Sequence, residues 1–558
     1  MTPILRLSST AFTHLEASES ALKGIDISVQ AGEQVLLLGR TGAGKSTFGQ
    51  VATGLAPEFI RGRLEGRIEL DGEDFTGRPT RDRTHLVGIV FQDFEPQLFS
   101  SSVLLETAFY PESLGLPRDE IIRRVERWLE RFGLAGFERR APYELSGGQQ
   151  QRLVLASVAS GQTPLLILDE AGTDLDPAAR ARLYREAPLE GQARIVADCW
   201  VESPSAFDRV VIFDKGRIAA EGTPLKVLSD VELLRQSGLR PPHLIELFHR
   251  LGIEKATLDV GEAARRLKPL IGDKQPTVEP SAEAIGGISS SLEIEGLSFT
   301  YPGTGRALNG VSATAGEGEF IVLVGPNGGG KTTLLKLVRG LLKPGRGRVV
   351  WRGAEVTTDR LKRLAREIGY VFQNPDHQLF AETVLDEVSL GVRWTGCSEP
   401  EVKARTGEAL QAVGLTGREQ DDPFALTRGD RQKLAVATVL AQRPGLLLLD
   451  EPTTGLDWRE LTGLLELCRR LVQRGHTILA ATHNLDILCG YATRVWVVSD
   501  GSILFDGSPR SLFEHPELLD AAHLTEPEIV TLSKKLGLPT ALTVDELSSW
   551  FVREKGRR

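Results

Sequence analysis

The sequence is poor in cysteine, and the four it has, Cys199, Cys397, Cys468 and Cys489, lie far apart without a CxxC pair. That spacing encodes neither a disulfide framework nor a zinc or iron–sulfur ligand set, and it fits a reducing compartment. No run of 18 or more apolar residues occurs, and the opening MTPILRLSST has no basic stretch followed by an apolar one. The expectation is neither a membrane-spanning segment nor a secretory leader, so that if a membrane matters another chain provides it. Positive charge is short as well. Against 75 Asp+Glu stand 66 Lys+Arg, a net charge of −9, the wrong sign for a chain whose main partner is a nucleic acid backbone. With 41% hydrophobic and 25% charged residues, close to globular averages, disorder is excluded as the dominant state. At 558 residues the chain is multidomain on a norm of about 150 residues per domain.

Self-similarity, in contrast, is abundant. GRTGAGKST at 39–47 and GPNGGGKTT at 325–333 place Lys45 and Lys331 286 positions apart. VFQDFEPQLF at 90–99 and VFQNPDHQLF at 371–380 recur at an offset of 281, as do LLILDE ending at Glu170 and LLLLDE ending at Glu451. Three motifs at nearly one offset mark a duplicated domain. Between the copies, 272–290 reads GDKQPTVEPSAEAIGGISS, rich in Gly, Pro and Ser and without periodicity, which suits a linker. Domain one is then 1–271 and domain two 291–558, each with a C-terminal extension. Short apolar runs at 35–38, 165–168 and 194–197 alternate with helix-length segments, the pattern of a mainly parallel sheet wrapped by helices. Each copy is expected to be α/β with a smaller helical subdomain, in which 118–132 puts Ile121, Ile122, Val125, Trp128, Leu129 and Phe132 on one helical face.

Gly-x-x-x-x-Gly-Lys-[Ser/Thr] occurs in both copies after an apolar run and before a helical one, the context a phosphate-cradling loop needs. Gly39, Gly44, Gly325 and Gly330 permit close backbone approach. Lys45 and Lys331 neutralise β- and γ-phosphates, and Ser46 and Thr332, each followed by Thr47 or Thr333, can ligate Mg²⁺. Asp169 and Asp450 end apolar strands, where a carboxylate reaches the magnesium shell, and Glu170 and Glu451 follow as groups to polarise an attacking water. Asp176 before Pro177 also has the form of a helix N-cap and first turn.

LSGGQQQR at 145–152, between the glutamine segment and LLILDE, resembles the signature of ATP-binding-cassette ATPases. The order of phosphate loop, Gln92 or Gln373, signature, Asp-Glu pair and ATHN with His483 is that family's order, in two copies over nearly the whole chain. The resemblance implies two P-loop NTPase cassettes, ATP and Mg²⁺ as cofactors, and glutamines 92 and 373 near the metal and the γ-phosphate. More narrowly, VFQNPDHQLFAETVLDEV, GLRPPHLIEL at 238–247 and HLTEPEIVTLSKKLGLP at 523–539 resemble the ATPase subunits of energy-coupling-factor importers, which take up vitamins and transition-metal ions. That implies a peripheral subunit on the cytoplasmic face of the cell membrane, bound to an integral coupling protein and a substrate-binding membrane subunit. The segments 94–99 and 375–380, with Phe94, Phe99, Pro375 and Phe380, are then the expected docking surface, the alternative being that Phe99 and Phe380 belong to the core.

In that family cassettes pack head to tail, so each ATP is held by one copy's phosphate loop and the other's signature. Site two would combine Lys331, Thr332, Gln373, Asp450, Glu451 and His483 with Ser146, Gly147, Gly148 and Gln149, every motif intact. Site one would combine Lys45, Ser46, Gln92, Asp169 and Glu170 with LTRGD at 426–430, where Arg428 and Asp430 replace the usual Gly and Gln. Thr427 keeps a hydroxyl there and Gly429 is expected to keep an accessible amide. Aligned on Gly191 and Gly475, the switch position of site one holds Cys199 in place of histidine. Tyr301 sits where the family stacks an aromatic on adenine, and His14 is the counterpart in copy one, either of them alternatively a surface ring. The reading is an ATP-hydrolysing energy-coupling subunit with one consensus and one degenerate site. The alternatives are a soluble twin-cassette ATPase acting on ribosomes or DNA, and the ATPase of a sugar importer.

Overall fold

The computed structural model describes residues 2–15, 17–172, 180, 183–184, 191–200, 203–271, 290–302, 305–360, 364, 366–452, 456–482, 485 and 489–555. Of the expected linker 272–290 only Ser290 lies among them, opening the strand Ser290–Tyr301. Packing divides the chain into two compact units, Met1–Ile245 and Glu246–Arg558.

In the first unit, six strands form one sheet in the spatial order Arg217–Gly222, Arg209–Asp214, Gln34–Leu38, Ala193–Asp198, Leu165–Asp169 and Val87–Val90. Five are parallel, and only Arg217–Gly222 runs antiparallel, on the edge. The apolar runs in the sequence are these strands. Leu165–Asp169 and Ala193–Asp198 are buried along their whole length, as strands covered on both faces must be. Leu22–Val29, Leu5–His14, Gly62–Leu70 and Glu73–Asp74 make a separate antiparallel sheet. The helical subdomain holds Val103–Ser113, Arg118–Arg131 and Gly147–Ser160 around Val125, Trp128, Leu129, Leu153 and Ala156. Of the face expected of it, helix Arg118–Arg131 buries Val125, Trp128 and Leu129, with Ile121 and Phe132 half-buried beside them, while Ile122 is 44% exposed at the rim of the apolar stripe.

The second unit repeats this plan. Its six-stranded sheet runs Ile368–Val371, Leu446–Asp450, Thr477–Ala481, Phe320–Val324, Arg494–Ser499 and Ser502–Gly507, with the last again antiparallel. Helices Val384–Arg393, Glu399–Val413 and Arg428–Leu440 form its subdomain. The second unit also includes the end of the first repeat. Helix Val260–Leu267 packs against helix Glu528–Lys535, and Arg250 pairs with Asp545, so the extension of copy one from Glu246 onward is built into the unit of copy two. No helix among the described residues is long and apolar enough to cross a membrane.

Candidate functional site

In each copy the central strand, Gln34–Leu38 or Phe320–Val324, runs into a glycine-rich loop and then a helix beginning at the lysine, Lys45–Thr53 or Lys331–Arg339. Gly44 and Gly330 enter those helices at φ 106° and 108°, where a Cβ would stand 2.7 Å from the carbonyl oxygens of Ala21 and Ala307. Only glycine fits there. Gly39 and Gly325 close the loops at their strand ends, and a Cβ on Gly325 would run into the Val498 carbonyl. Lys45 Nζ donates to the Gly39 and Arg40 carbonyls at 2.7 and 3.2 Å, and Lys331 Nζ to those of Gly325 and Pro326 at 2.9 and 3.1 Å. Both lysines curl over their own loops, beside helix N-termini that favour anions. Thr47 and Thr333 are buried one turn inside.

Asp169 and Asp450 end buried strands opposite these loops. Thr332 Oγ1 donates to Asp450 Oδ1 at 2.8 Å, and Tyr370 OH donates to Oδ2 at 2.7 Å. Ser46 bonds Asp169 in the same way, but Ile89 stands at the strand position of Tyr370, and Asp169 Oδ1 is buried with no hydrogen-bond partner. Burial first, then the neighbouring Glu170, pushes the Asp169 carboxyl up to about 7. Burial likewise raises Asp450, against the bonds from Tyr370 and Thr332. The donors are all hard oxygens, hydroxyl and carboxylate, and an orphaned carboxylate oxygen is what a bound cation satisfies, so the set fits Mg²⁺. Among the described residues no cluster of three or more His, Cys, Asp and Glu suggests any other metal.

Glu170 and Glu451 both sit at positive φ, 49° and 48°, and their amides donate to Ala197 and Ala481 of the adjacent strand at 2.8 and 2.9 Å. A non-glycine residue held in that region in both copies marks a conformation fixed for a purpose. In copy one the Glu170 carboxylate is closely engaged by its neighbours. Lys45 Nζ lies 3.3 Å away, Gln92 Nε2 donates at 2.8 Å, and Cys199 Sγ donates at 3.3 Å. Burial, then Glu170, drives the Cys199 thiol well above its ordinary range, so it stays protonated and donates. Burial opposes the Lys45 charge, yet the carboxylates around it, Glu170 first, hold the ammonium above the ordinary lysine range.

His483 lies outside the described residues, as does Asp176. The strand registers nonetheless fix its counterpart: Ala197 and Ala481 both oppose the strand-end aspartate, and two residues onward stand Cys199 and His483. In copy one the start of this segment is pinned. Asp198 accepts the amides of Cys199 and Trp200 at 2.7 and 3.2 Å, the Arg180 guanidinium at 3.0 Å and the Tyr184 hydroxyl at 2.5 Å. Motif reading missed Asp198, Arg180 and Tyr184, which belong to no motif.

The two signatures differ more than their letters do. In copy one Ser146 and Gly147 are exposed, a Cβ on Gly147 would meet open space, and Gln149 accepts the Ser146 amide at 2.9 Å while Gly148 stays half-buried. In copy two Thr427 is exposed and accepts the Asp430 amide at 3.1 Å. Gly429 departs from expectation: the residue is buried, and the Glu460 carboxylate lies where its Cβ would be. The aromatic positions correspond. His14 packs edge-on against Phe12 at 5.0 Å, as Tyr301 does against Phe299 at 4.8 Å, and Tyr301 OH lies 3.4 Å from Thr333 Oγ1.

Gln373 is exposed and Gln92 half-buried. Of the segments behind them, Phe94 and Pro375 are buried, correcting the expectation that the whole of 94–99 and 375–380 faces outward; each sits at a short 3₁₀ turn that folds it inward. Phe99 and Phe380 are 63% and 65% exposed. Each is held by a buried glutamate that motif reading did not find. Glu106 Oε2 accepts the amides of Phe99 and Ser100 at 3.0 and 2.7 Å, and Glu387 Oε2 those of Phe380 and Ala381 at 2.7 Å each.

The sequence model of the ABC transporter family matches residues 22–173 and 308–454. An ABC transporter ATP-binding protein of Caldanaerobacter subterraneus subsp. tengcongensis is 40% identical over 547 residues, 96% of each chain. Another, of Methanosarcina acetivorans, is 34% identical over 98% of this chain and 94% of that one. Among solved structures, cbiO1 from Clostridium perfringens, described as part of the ABC transporter complex cbiONQ, is 32% identical and covers 44% of this chain and 99% of its own, with a TM-score of 0.39. With two family matches in register with the two sheets, and relatives aligned from end to end, the chain belongs to the ATP-binding proteins of ABC transporters, as an ATPase carrying two cassettes in tandem.

Proposed function

We propose that the chain is the energy-coupling ATPase of a membrane importer of the energy-coupling-factor type, serving a vitamin or a transition-metal ion. Its cassettes pair head to tail within the chain. Site two, from the second phosphate loop and the signature at 145–149, hydrolyses ATP; site one, from the first loop and the signature at 426–430, holds nucleotide more than it cleaves it. In site two Lys331 and the loop amides grip the phosphates and Glu451, fixed by its backbone, takes the proton of the attacking water while His483 contacts the γ-phosphate. Thr332 and Asp450, with Gln373 nearby, would hold Mg²⁺, which neutralises phosphate charge when bound. In site one Lys45, Ser46, Asp169 and Gln92 keep the grip, but Glu170 is engaged by Lys45, Gln92 and Cys199 and lacks a histidine beside it.

The observation that carries the transporter reading is the pair of exposed phenylalanines, Phe99 and Phe380, presented by the same buried-glutamate clamp just after the two glutamines. Large exposed apolar side chains held rigidly mark a contact surface. In copy one Phe99 stacks edge-on with the half-exposed Phe109 at 4.7 Å. The partners are an integral coupling protein and a substrate-binding membrane subunit, at the cytoplasmic face of the membrane; net charge −9 speaks against nucleic acid. The test is purification of the tagged chain from solubilised membranes with identification of what accompanies it. Recovery with a coupling protein and a small substrate-binding membrane protein supports the proposal. Recovery with ribosomes, or with a sugar permease pair, overturns it.

A further inference from the structure

Glu460 belongs to no motif, yet it sits on one. It is the third residue of helix Trp458–Gln473, and its carboxylate accepts the Asp457 amide at 3.0 Å while Asp457 caps the same helix through the Glu460 amide at 2.9 Å. That capping pair fixes the side chain. So held, the carboxylate lies directly against Gly429, the one glycine left in the second signature, and buries it.

The surroundings changed together. Asp430 pairs with Arg418 at 3.0 Å and with Lys433 at 3.1 Å. Burial, and then the Asp457 and Asp430 carboxylates, raise the Glu460 carboxyl, against the Asp457 amide and the Lys433 ammonium, which favour its charged form. At the constant offset of 281, copy one has Phe137, Gln149, Arg152 and Ala179 at the positions of Arg418, Asp430, Lys433 and Glu460. Two new carboxylates and one new cation thus gather about a single glycine, and copy one has an alanine at the position of Glu460. A degenerate motif that had merely lost its ligand groups would not need a helix-capped carboxylate placed over what remained.

We propose that Glu460 is a built-in anionic cover on the second signature, which weakens the hold of site one on the terminal phosphate of ATP. The inference rests on the head-to-tail reading above, under which residues 426–430 face the nucleotide gripped by Lys45. A carboxylate charge on the signature repels a phosphate presented to it, which at the effective dielectric of a half-buried site, reduced by partial exposure, opposes binding by about tenfold.

The experiment measures equilibrium binding of a fluorescent ATP analogue with Mg²⁺ to the full-length chain, with one site silenced at a time. Lys331→Ala leaves site one as the reporter, and Lys45→Ala leaves site two. In the Lys331→Ala chain, Glu460→Gln and Glu460→Ala should each tighten binding about tenfold, and in the Lys45→Ala chain neither should change it by more than about twofold. Glu460→Gln keeps a carbonyl to accept the Asp457 amide, so it remains informative where Glu460→Ala unfolds. Unchanged binding in both silenced chains overturns the cover. Tightening confined to the Lys45→Ala chain overturns the head-to-tail reading and with it the assignment to site one.

Discussion

Replacing Glu451 by glutamine, and separately Glu170, distinguishes two active sites from one. Glu170 in its present setting is a poor base. Its carboxylate is engaged by the Lys45 ammonium at 3.3 Å, the Gln92 amide at 2.8 Å and the Cys199 thiol at 3.3 Å. Accepting a proton from water means releasing at least one of these, and a hydrogen bond to a charged group is worth about 1.5–3 kcal/mol. Release of two handicaps site one by about 3–6 kcal/mol, a factor of roughly 10² to 10⁴ in rate. Site one then supplies on the order of 1% of turnover or less, and Glu170→Gln should leave kcat within about twofold. Glu451→Gln removes a preorganised transition-state group from the site that does the work and should lower kcat by about 10² to 10³. The assay is phosphate release by the purified full-length chain at saturating Mg²⁺–ATP, with thermal unfolding recorded to confirm that both variants fold. Equal losses from the two substitutions, or a loss above about tenfold from Glu170→Gln, would refute the asymmetric assignment.

Much of the fold was legible because duplication wrote it twice and because buried parallel strands read as unbroken apolar runs, as at 165–168 and 446–449. The phosphate loops were legible for a local reason: Gly44 and Gly330 hold conformations that other residues resist, so the motif is a record of backbone geometry. What stayed hidden depends on side chains that meet from afar. Tyr370 reaches Asp450 across 80 residues, and only the strand register shows that Ile89 leaves Asp169 without the same support. Glu106 and Glu387 lie in apolar helices where a buried carboxylate is unexpected until the amides it accepts are seen. Gly429 looked accessible because a motif is read along the chain, whereas Glu460, the residue that covers it, arrives with a later helix. Arg428 and Asp430 signalled that the second signature had changed, but not that Glu460 lay over it.

Tyr370→Phe strips one of two hydrogen bonds from a buried carboxylate and should cost about 1–3 kcal/mol in unfolding free energy and raise the Mg²⁺ concentration needed for half-maximal ATPase activity. An unchanged Mg²⁺ requirement would separate Tyr370 from the metal site. Phe99→Asp and Phe380→Asp should release the chain from partner-containing membranes in a flotation assay with ATPase activity in solution retained, since side chains 63% and 65% exposed contribute within about 0.5 kcal/mol to stability. Binding of the wild-type chain to protein-free liposomes would defeat the docking reading. Asp169→Asn should stabilise the nucleotide- and metal-free protein, and more so as pH rises. The folded carboxyl titrates at about 7 against 3.8 for an ordinary aspartate, so stability present below the lower value is lost as pH climbs through the higher. The full gap corresponds to about 4 kcal/mol, of which about 2–3 kcal/mol falls between roughly pH 5 and 8. Denaturant titration of both proteins at the two pH values reads the difference directly. Mg²⁺ with ATP should shrink it, because a cation beside the orphaned Asp169 oxygen restores the charged form. A stabilisation that is the same at both pH values would mean that Asp169 does not carry its proton into the neutral range, and that its burial is compensated by a group other than the metal.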